Sequence, residues 1–353
     1  MKKNSPADSA KPRLAELDCL RGLAALLVTL SHLTASYVKL FPDQPASSIL
    51  LHADGFAVIL FFMISGFVIL MTLEKCQAPL DFVVSRFSRL YPAYWASVLL
   101  TFAVVSSLGL PGHERNFGQM LINLTMIQDM FRTPHVDWSY WTLQIELFFY
   151  AGMFLIYCVG GLSRVEWFLF GWLLLRLFYL LAPHFNLEPS FTLGKILILD
   201  LIPYFGLGMC FYKIYAHYES QQRKLNIGIL VSCAALALLN ITLSGEGLFS
   251  AICGILIFAL FVMGYLRWLV VWPMVWLGAI SYPLYLLHQY IGFALIRRME
   301  ASGFSPNIST LCAIFTALFL AAVVTYSVER PAMRWIRACY RSIKDVRTNM
   351  QSL

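Results

Sequence analysis

Long apolar stretches alternate with short polar ones along the whole chain. The stretches at 17–40, 53–73, 90–110, 140–160, 165–183, 195–216, 226–243, 248–266, 272–296 and 308–328 suit the roughly 20 residues a helix needs to cross a hydrocarbon core. In lipid a backbone can satisfy its own polar groups only as a helix or a closed barrel, and continuous apolar runs fit helices better than alternating strands. The pattern therefore predicts an all-α fold, a polytopic membrane bundle of about ten transmembrane helices. Glycines at Gly160–Gly161 and at Gly245 and Gly247 mark tight turns between neighbouring spans. Residues 117–128 are apolar but too short to cross, and are expected to lie at an interface.

Composition strengthens this picture. The chain has 353 residues, 59% of them hydrophobic and 13% charged, whereas about a quarter of the residues in a soluble domain are charged. The net charge of +7 does not imply a nucleic-acid partner, because the basic residues sit in short loops and tails and form no stripe with interleaved aromatics. With the N-terminus inside, most of the 26 Lys and Arg fall on the cytoplasmic side. That predicts two cytoplasmic termini and an even number of crossings. The divisions expected are a polar N-terminal tail at 1–16 (Lys2, Lys3, Lys11, Arg13), a transmembrane domain at 17–331 and a basic tail at 332–353. In the last of these, Arg334, Trp335, Arg337, Tyr340 and Arg341 read as an interfacial basic helix. The first apolar run is too long for a signal-peptide core and reads as an uncleaved first span. None of the eight cysteines forms a C-x-x-C pair or a Cys/His cluster, so no metal is expected.

Ionisable groups inside spans are costly unless paired or facing a wet cavity, so each is a functional candidate. Arg21 and His32 lie eleven residues apart, within about 20° of three full helical turns and about 16 Å along the axis. They share a face, with Asp18 one turn before Arg21. An imidazole near mid-membrane can be neutral and still accept a proton. Arg86 and Arg89, three apart at the mouth of the third span, suit phosphate oxygens or act as a topology anchor before the aromatic run Tyr91, Tyr94, Trp95. Glu146 lies at least a turn inside the fourth span, after Trp138 and Trp141 and four residues before Tyr150. His288 follows the helix-kinking Pro283, and Arg176 and Asp200 suit a structural ion pair.

Together these segments resemble the acyltransferase-3 family of integral membrane acyltransferases, from Leu17 to Pro331. The resemblance rests on Leu17-Asp18-x-Leu20-Arg21-Gly22 with Arg21-x10-His32, and on Phe61-Phe62-Met63-Ile64-Ser65-Gly66-Phe67. It continues through Arg86-x2-Arg89-Leu90-x-Pro92-x-Tyr94-Trp95, Trp141-Thr142-Leu143-x2-Glu146-x2-Phe149-Tyr150, Ile280-Ser281-Tyr282-x2-Tyr285-Leu286-x-His288 and Glu329-x-Pro331. One departure is the wholly apolar Val58-Ile59-Leu60, where members often carry a polar residue before the Phe-Phe pair. No hydrolase-like extracytoplasmic domain is recognised, so the resemblance is to the stand-alone form.

The resemblance implies transfer of an acyl group, commonly acetyl, from acyl-CoA to a hydroxyl of a sugar or surface glycan such as lipopolysaccharide, in a bacterial inner membrane. The family's Arg-x10-His pair maps onto Arg21 and His32, and its Arg-x2-Arg pair onto Arg86 and Arg89. The mechanism expected has His32 as general base, Arg21 and Glu146 as further catalytic residues, Glu146 approaching from the outer side, and Arg86 and Arg89 as contacts to the CoA phosphates. Asp18, Trp141, Tyr150 and His288 are expected near the substrates. A secondary transporter or flippase with a buried His/Arg/Glu relay is the competing expectation, although no repeated half of the kind many transporters show is visible.

Overall fold

The computed structural model of the protein describes residues 14–45, 47–220, 226–245 and 247–351, so the basic residues expected in the tail before Leu14 lie outside the described residues. Among those described there is helix and no strand. Each of the ten apolar stretches has become helical. They form α1 (Ala15–Leu40), α2 (Asp54–Leu73), α3 (Pro79–Leu108), α4 (Trp138–Cys158), α5 (Gly161–Phe185), α6 (Ile202–Ser220), α7 (Ile227–Ser244) and α8 (Leu248–Val262). They are followed by α9 (Trp272–Leu287), α10 (Gln289–Ala301), α11 (Pro306–Val324) and α12 (Arg330–Gln351).

The number of clear crossings is smaller than ten. Seven helices among the described residues are long and apolar enough to cross a membrane, or eight if the bent pair α9–α10 counts as one span. The other two stretches fall short for different reasons. Helix α8 has only 15 residues, and α6 carries Lys213, His217 and Glu219 in its second half. The short stretch near residue 117 is a single interfacial-length helix, Phe117–Asn123.

The outward faces of several helices remain apolar, with Phe249, Trp268, Phe315 and Phe319 each more than 60% exposed. On a soluble protein so much exposed apolar surface would be a liability; against acyl chains it is the expected exterior. Inside the bundle, small residues let backbones approach closely, as is usual where helices pack in lipid. Gly278 of α9 meets the Asp18 carbonyl of α1, and a Cβ on Gly22 would lie 2.5 Å from the Gly278 nitrogen. Gly66 of α2 and Gly208 of α6 likewise face the carbonyls of Phe205 and Met63. Helix α2, packed between α1 and α6, is the apolar spine of the bundle.

Two interruptions shape the interior. Helix α1 loosens into a π-helical turn at His32–Ser36, a feature often found at functional positions. Ser31 and Thr34 beside it accept hydrogen bonds from the backbone of Ala53 and Leu51, pinning the α1–α2 loop over this turn. The second interruption bends α9 against α10 by 69° at His288. At the other end of the bundle, α11 runs through a second π-helical turn, Thr325–Glu329, into the basic helix α12. The tail expected to be an interfacial helix is helical, and it packs along the start of α3.

Candidate active site

A cavity of about 190 Å³ opens among α1, α2, α3, α4, α9 and α12. Arg21, Arg86, Arg89 and Arg337 line it, with Glu146 as the lining carboxylate. Its apolar wall includes Val58 and Phe61, so the position where a polar residue is often found before the Phe-Phe pair faces the cavity as valine. Four guanidinium groups around so small a space suit it chemically to anionic oxygens.

Each charge is held by a neighbour. Arg21 pairs with Asp18 at 3.9 Å, and Arg89 pairs with the buried Glu329 of the π-helical turn. The Arg86 guanidinium lies 5.9 Å from the ring centroids of both Phe82 and Tyr150. Its Nε has no hydrogen-bond partner among the described residues although it is buried, an unused donor beside the cavity. Glu146 accepts hydrogen bonds from Ser65 Oγ at 2.6 Å and from Tyr150 Oη. Glu146, expected to approach from the outer side, lines the arginine cavity.

His32 does not line this cavity. Its Nδ1 lies 2.9 Å from Nε2 of His288, and the two rings stack with centroids 5.1 Å apart. The cavity approaches this pair through Tyr285, which lines it and whose ring centroid is 5.8 Å from that of His288. His288 Nδ1 faces two backbone carbonyls, Tyr285 O at 2.9 Å and Leu284 O at 3.1 Å. Carbonyls only accept, so in the neutral pair this nitrogen carries the proton and His288 Nε2 carries a lone pair. That lone pair takes the proton of His32 Nδ1, which leaves His32 Nε2 unprotonated. His32 is partly exposed, and its Nε2 has no hydrogen-bond partner among the described residues.

His288 was expected near substrate, but it is fully buried and stands behind His32; it can act only through that ring. Trp141 is partly buried and does not line the cavity, whereas Tyr150 does. Arg176 and Asp200 form the expected ion pair, at 3.1 Å.

Three residues of the site carry no role in the sequence alone. Ser65 lies within a family motif, Arg337 falls in the basic tail, and Asp137 stands just before α4. Asp137 is fully buried, accepting from Ser139 N and Oγ at 3.0 and 2.6 Å and from Tyr290 N at 2.9 Å. The last bond caps the start of α10, so Asp137 secures the break that carries His288. Burial pushes its carboxyl up to about 6, against the opposing effect of these hydrogen bonds. An Asp-x-Ser preceding an apolar run is the one sequence signal that could have revealed it.

Comparison with known proteins gives this constellation a family. The acyltransferase domain family matches residues 14–327. An acyltransferase of Streptomyces mycarofaciens, MdmB, is 30% identical over 39% of this chain and 38% of its own length. An O-acetyl transferase of Shigella phage Sf6 is 25% identical over 68% of this chain and 73% of its own. Protein 2 in the picA locus of Rhizobium radiobacter is 36% identical over 30% of this chain and 54% of its own. The chain thus spans well under two thirds of the first and third of these relatives. No solved structure matches it significantly. With a match running from the start of α1 into the π-helical turn after α11, the chain belongs to the acyltransferase-3 family of membrane acyltransferases.

Proposed function

We propose that this protein is a membrane O-acyltransferase that moves an acyl group, commonly acetyl, from acyl-CoA to a hydroxyl of a sugar or cell-surface glycan. The carrying observation is the hydrogen-bonded chain from the Tyr285 carbonyl through His288 to His32, which leaves His32 Nε2 as a base. Family membership and the O-acetyl transferase relative support the transferase reading. The charge distribution supports cytoplasmic termini, and the family resemblance favours a bacterial inner membrane.

In this reaction the donor enters at the arginine end, where Arg86 and Arg89 meet phosphate oxygens and Arg21 helps hold the donor. The acyl end reaches past Tyr285 toward His32. His32 Nε2 takes the proton of the acceptor hydroxyl as its oxygen attacks the carbonyl carbon. The tetrahedral intermediate then collapses, breaking the carbon–sulfur bond, and the CoA thiolate recovers that proton from His32. A positioned base of this kind contributes about 10²- to 10⁴-fold, and positioning and oxyanion stabilisation supply the rest. Glu146, already accepting two hydrogen bonds, serves to align the acceptor or the Tyr150 ring beside Arg86.

The α9–α10 break also favours a second reading, a transporter or flippase, since broken helices commonly line transport sites. Purified protein given radiolabelled acetyl-CoA and candidate glycans separates the two. Acyltransfer delivers label to the glycan and releases CoA; transport moves a solute across the bilayer and leaves acetyl-CoA intact, which would refute the enzymatic reading.

A further inference from the structure

We infer that the open groove between α3 and α12 is a binding site for the 3′-phosphorylated adenosine diphosphate end of the acyl donor, with Arg334, Arg337 and Arg341 as its phosphate contacts. The inference rests on the proposal that the donor is acyl-CoA, and it assigns a place to the part of that molecule the cavity leaves over. Pockets for drug-sized ligands run to about 300–1,000 Å³, so a cavity of about 190 Å³ is too small for the whole donor and leaves its adenosine end outside. The adenosine with its 3′-phosphate, beyond the diphosphate that Arg86 and Arg89 meet, needs room elsewhere.

Such room adjoins the cavity. A groove of about 710 Å³ runs along the junction of α3 and α12, and Arg337 lines both spaces. Arg337 is fixed at that boundary by Ser88 Oγ at 3.1 Å and the Ser85 carbonyl at 3.4 Å. Arg334 and Arg341 lie three residues before it and four after, on the same face of α12. The Nε of each bonds a carbonyl one turn back, at 3.3 and 3.4 Å. Neither guanidinium is in an ion pair among the described residues, and their remaining donors are available. The one carboxylate lining the groove among the described residues, Asp81, is already occupied by Lys344 at 3.0 Å, Tyr340 at 2.8 Å and the backbone of Ala78 at 2.9 Å. Three arginines therefore face the groove with their charge uncancelled, where α12 continues the transmembrane helix α11 beyond its apolar part. The 3′-phosphorylated adenosine would lie here, with the diphosphate passing Arg337 toward Arg86 and Arg89. An anionic lipid headgroup offers the same phosphate chemistry, but the shared Arg337 and the small cavity favour the donor.

The test is equilibrium binding to the full chain in phosphatidylcholine nanodiscs. Adenosine 3′,5′-bisphosphate should displace CoA from the wild type. The double variant Arg334→Ala/Arg341→Ala should bind both about tenfold or more weakly, as expected for losing charge-assisted contacts, with an unchanged melting temperature. Arg334→Lys/Arg341→Lys should recover part of the affinity. Unaltered CoA affinity in the alanine variant overturns the inference, as does a bisphosphate that fails to compete. In parallel nanodiscs containing phosphatidylglycerol, loss of phosphatidylglycerol association in the alanine variant with CoA affinity intact would also overturn it, by giving the groove to lipid. Binding is read without turnover, so a protein that binds CoA in this groove yet transfers no acyl group contradicts the catalytic reading alone.

Discussion

A lone imidazole has two tautomers, and only one of them leaves a given nitrogen free to act as a base. In this protein the choice is made by backbone carbonyls two residues removed from the reacting atom: Tyr285 and Leu284 dictate the proton position on His288, and His288 dictates it on His32. This is the logic by which a buried acceptor orients the histidine of a hydrolase triad, where the wrong tautomer costs about 10⁴ in turnover. His288→Leu should lower kcat by about 10²- to 10⁴-fold with little change in the donor KM. His288→Gln, whose amide oxygen can still accept from His32, should regain a good part of that loss. Steady-state kinetics of the two variants decide the matter, since a purely structural His288 would make both equally poor. Arg21 and His32 were legible from eleven-residue spacing on one helix. His288 was visible only as a histidine after a proline, because its partner lies 256 residues away in sequence and no periodicity reports a contact between distant segments.

At the scale of elements, the interruptions carry the chemistry. The apolar runs predicted ten helices and a kink at Pro283, yet the real bend falls five residues later, at His288, where the backbone turns by 69°. Such a break exposes N–H groups that lipid cannot satisfy, and Asp137 answers one of them through Tyr290 N. Keeping a carboxylate buried for this task has a pH signature. Its carboxyl, pushed up to about 6 by burial, binds its proton more tightly in the folded protein than in the unfolded chain. Stability should therefore fall as pH rises from about 4 to about 6, by up to about 3 kcal/mol. Thermal unfolding in detergent across that range checks this: the slope should be present in the wild type and flattened in Asp137→Asn. A slope that survives the substitution would assign it to another group. The π-helical turns at His32 and Thr325 had no sequence signal, because an extra residue per turn changes the apolar pattern too little to be read.

For the molecule as a whole, one end gathers guanidinium groups and an exposed basic helix, and the interior beyond Tyr285 holds an imidazole pair. That division suits a reaction whose anionic donor arrives from water and whose acyl group is transferred within the bundle. Membrane embedding, helical class and family were readable from apolar run lengths and six short motifs in order. What stayed hidden was how the arginines divide among Asp18, Glu329 and the open groove, since pairing depends on which helices meet. The most direct test of the central claim compares wild type with His32→Ala, measuring transfer of labelled acetyl from acetyl-CoA to a glycan alongside CoA binding. Transfer should drop about 10²- to 10⁴-fold while CoA affinity holds; transfer that persists at the wild-type rate would contradict His32 as the base.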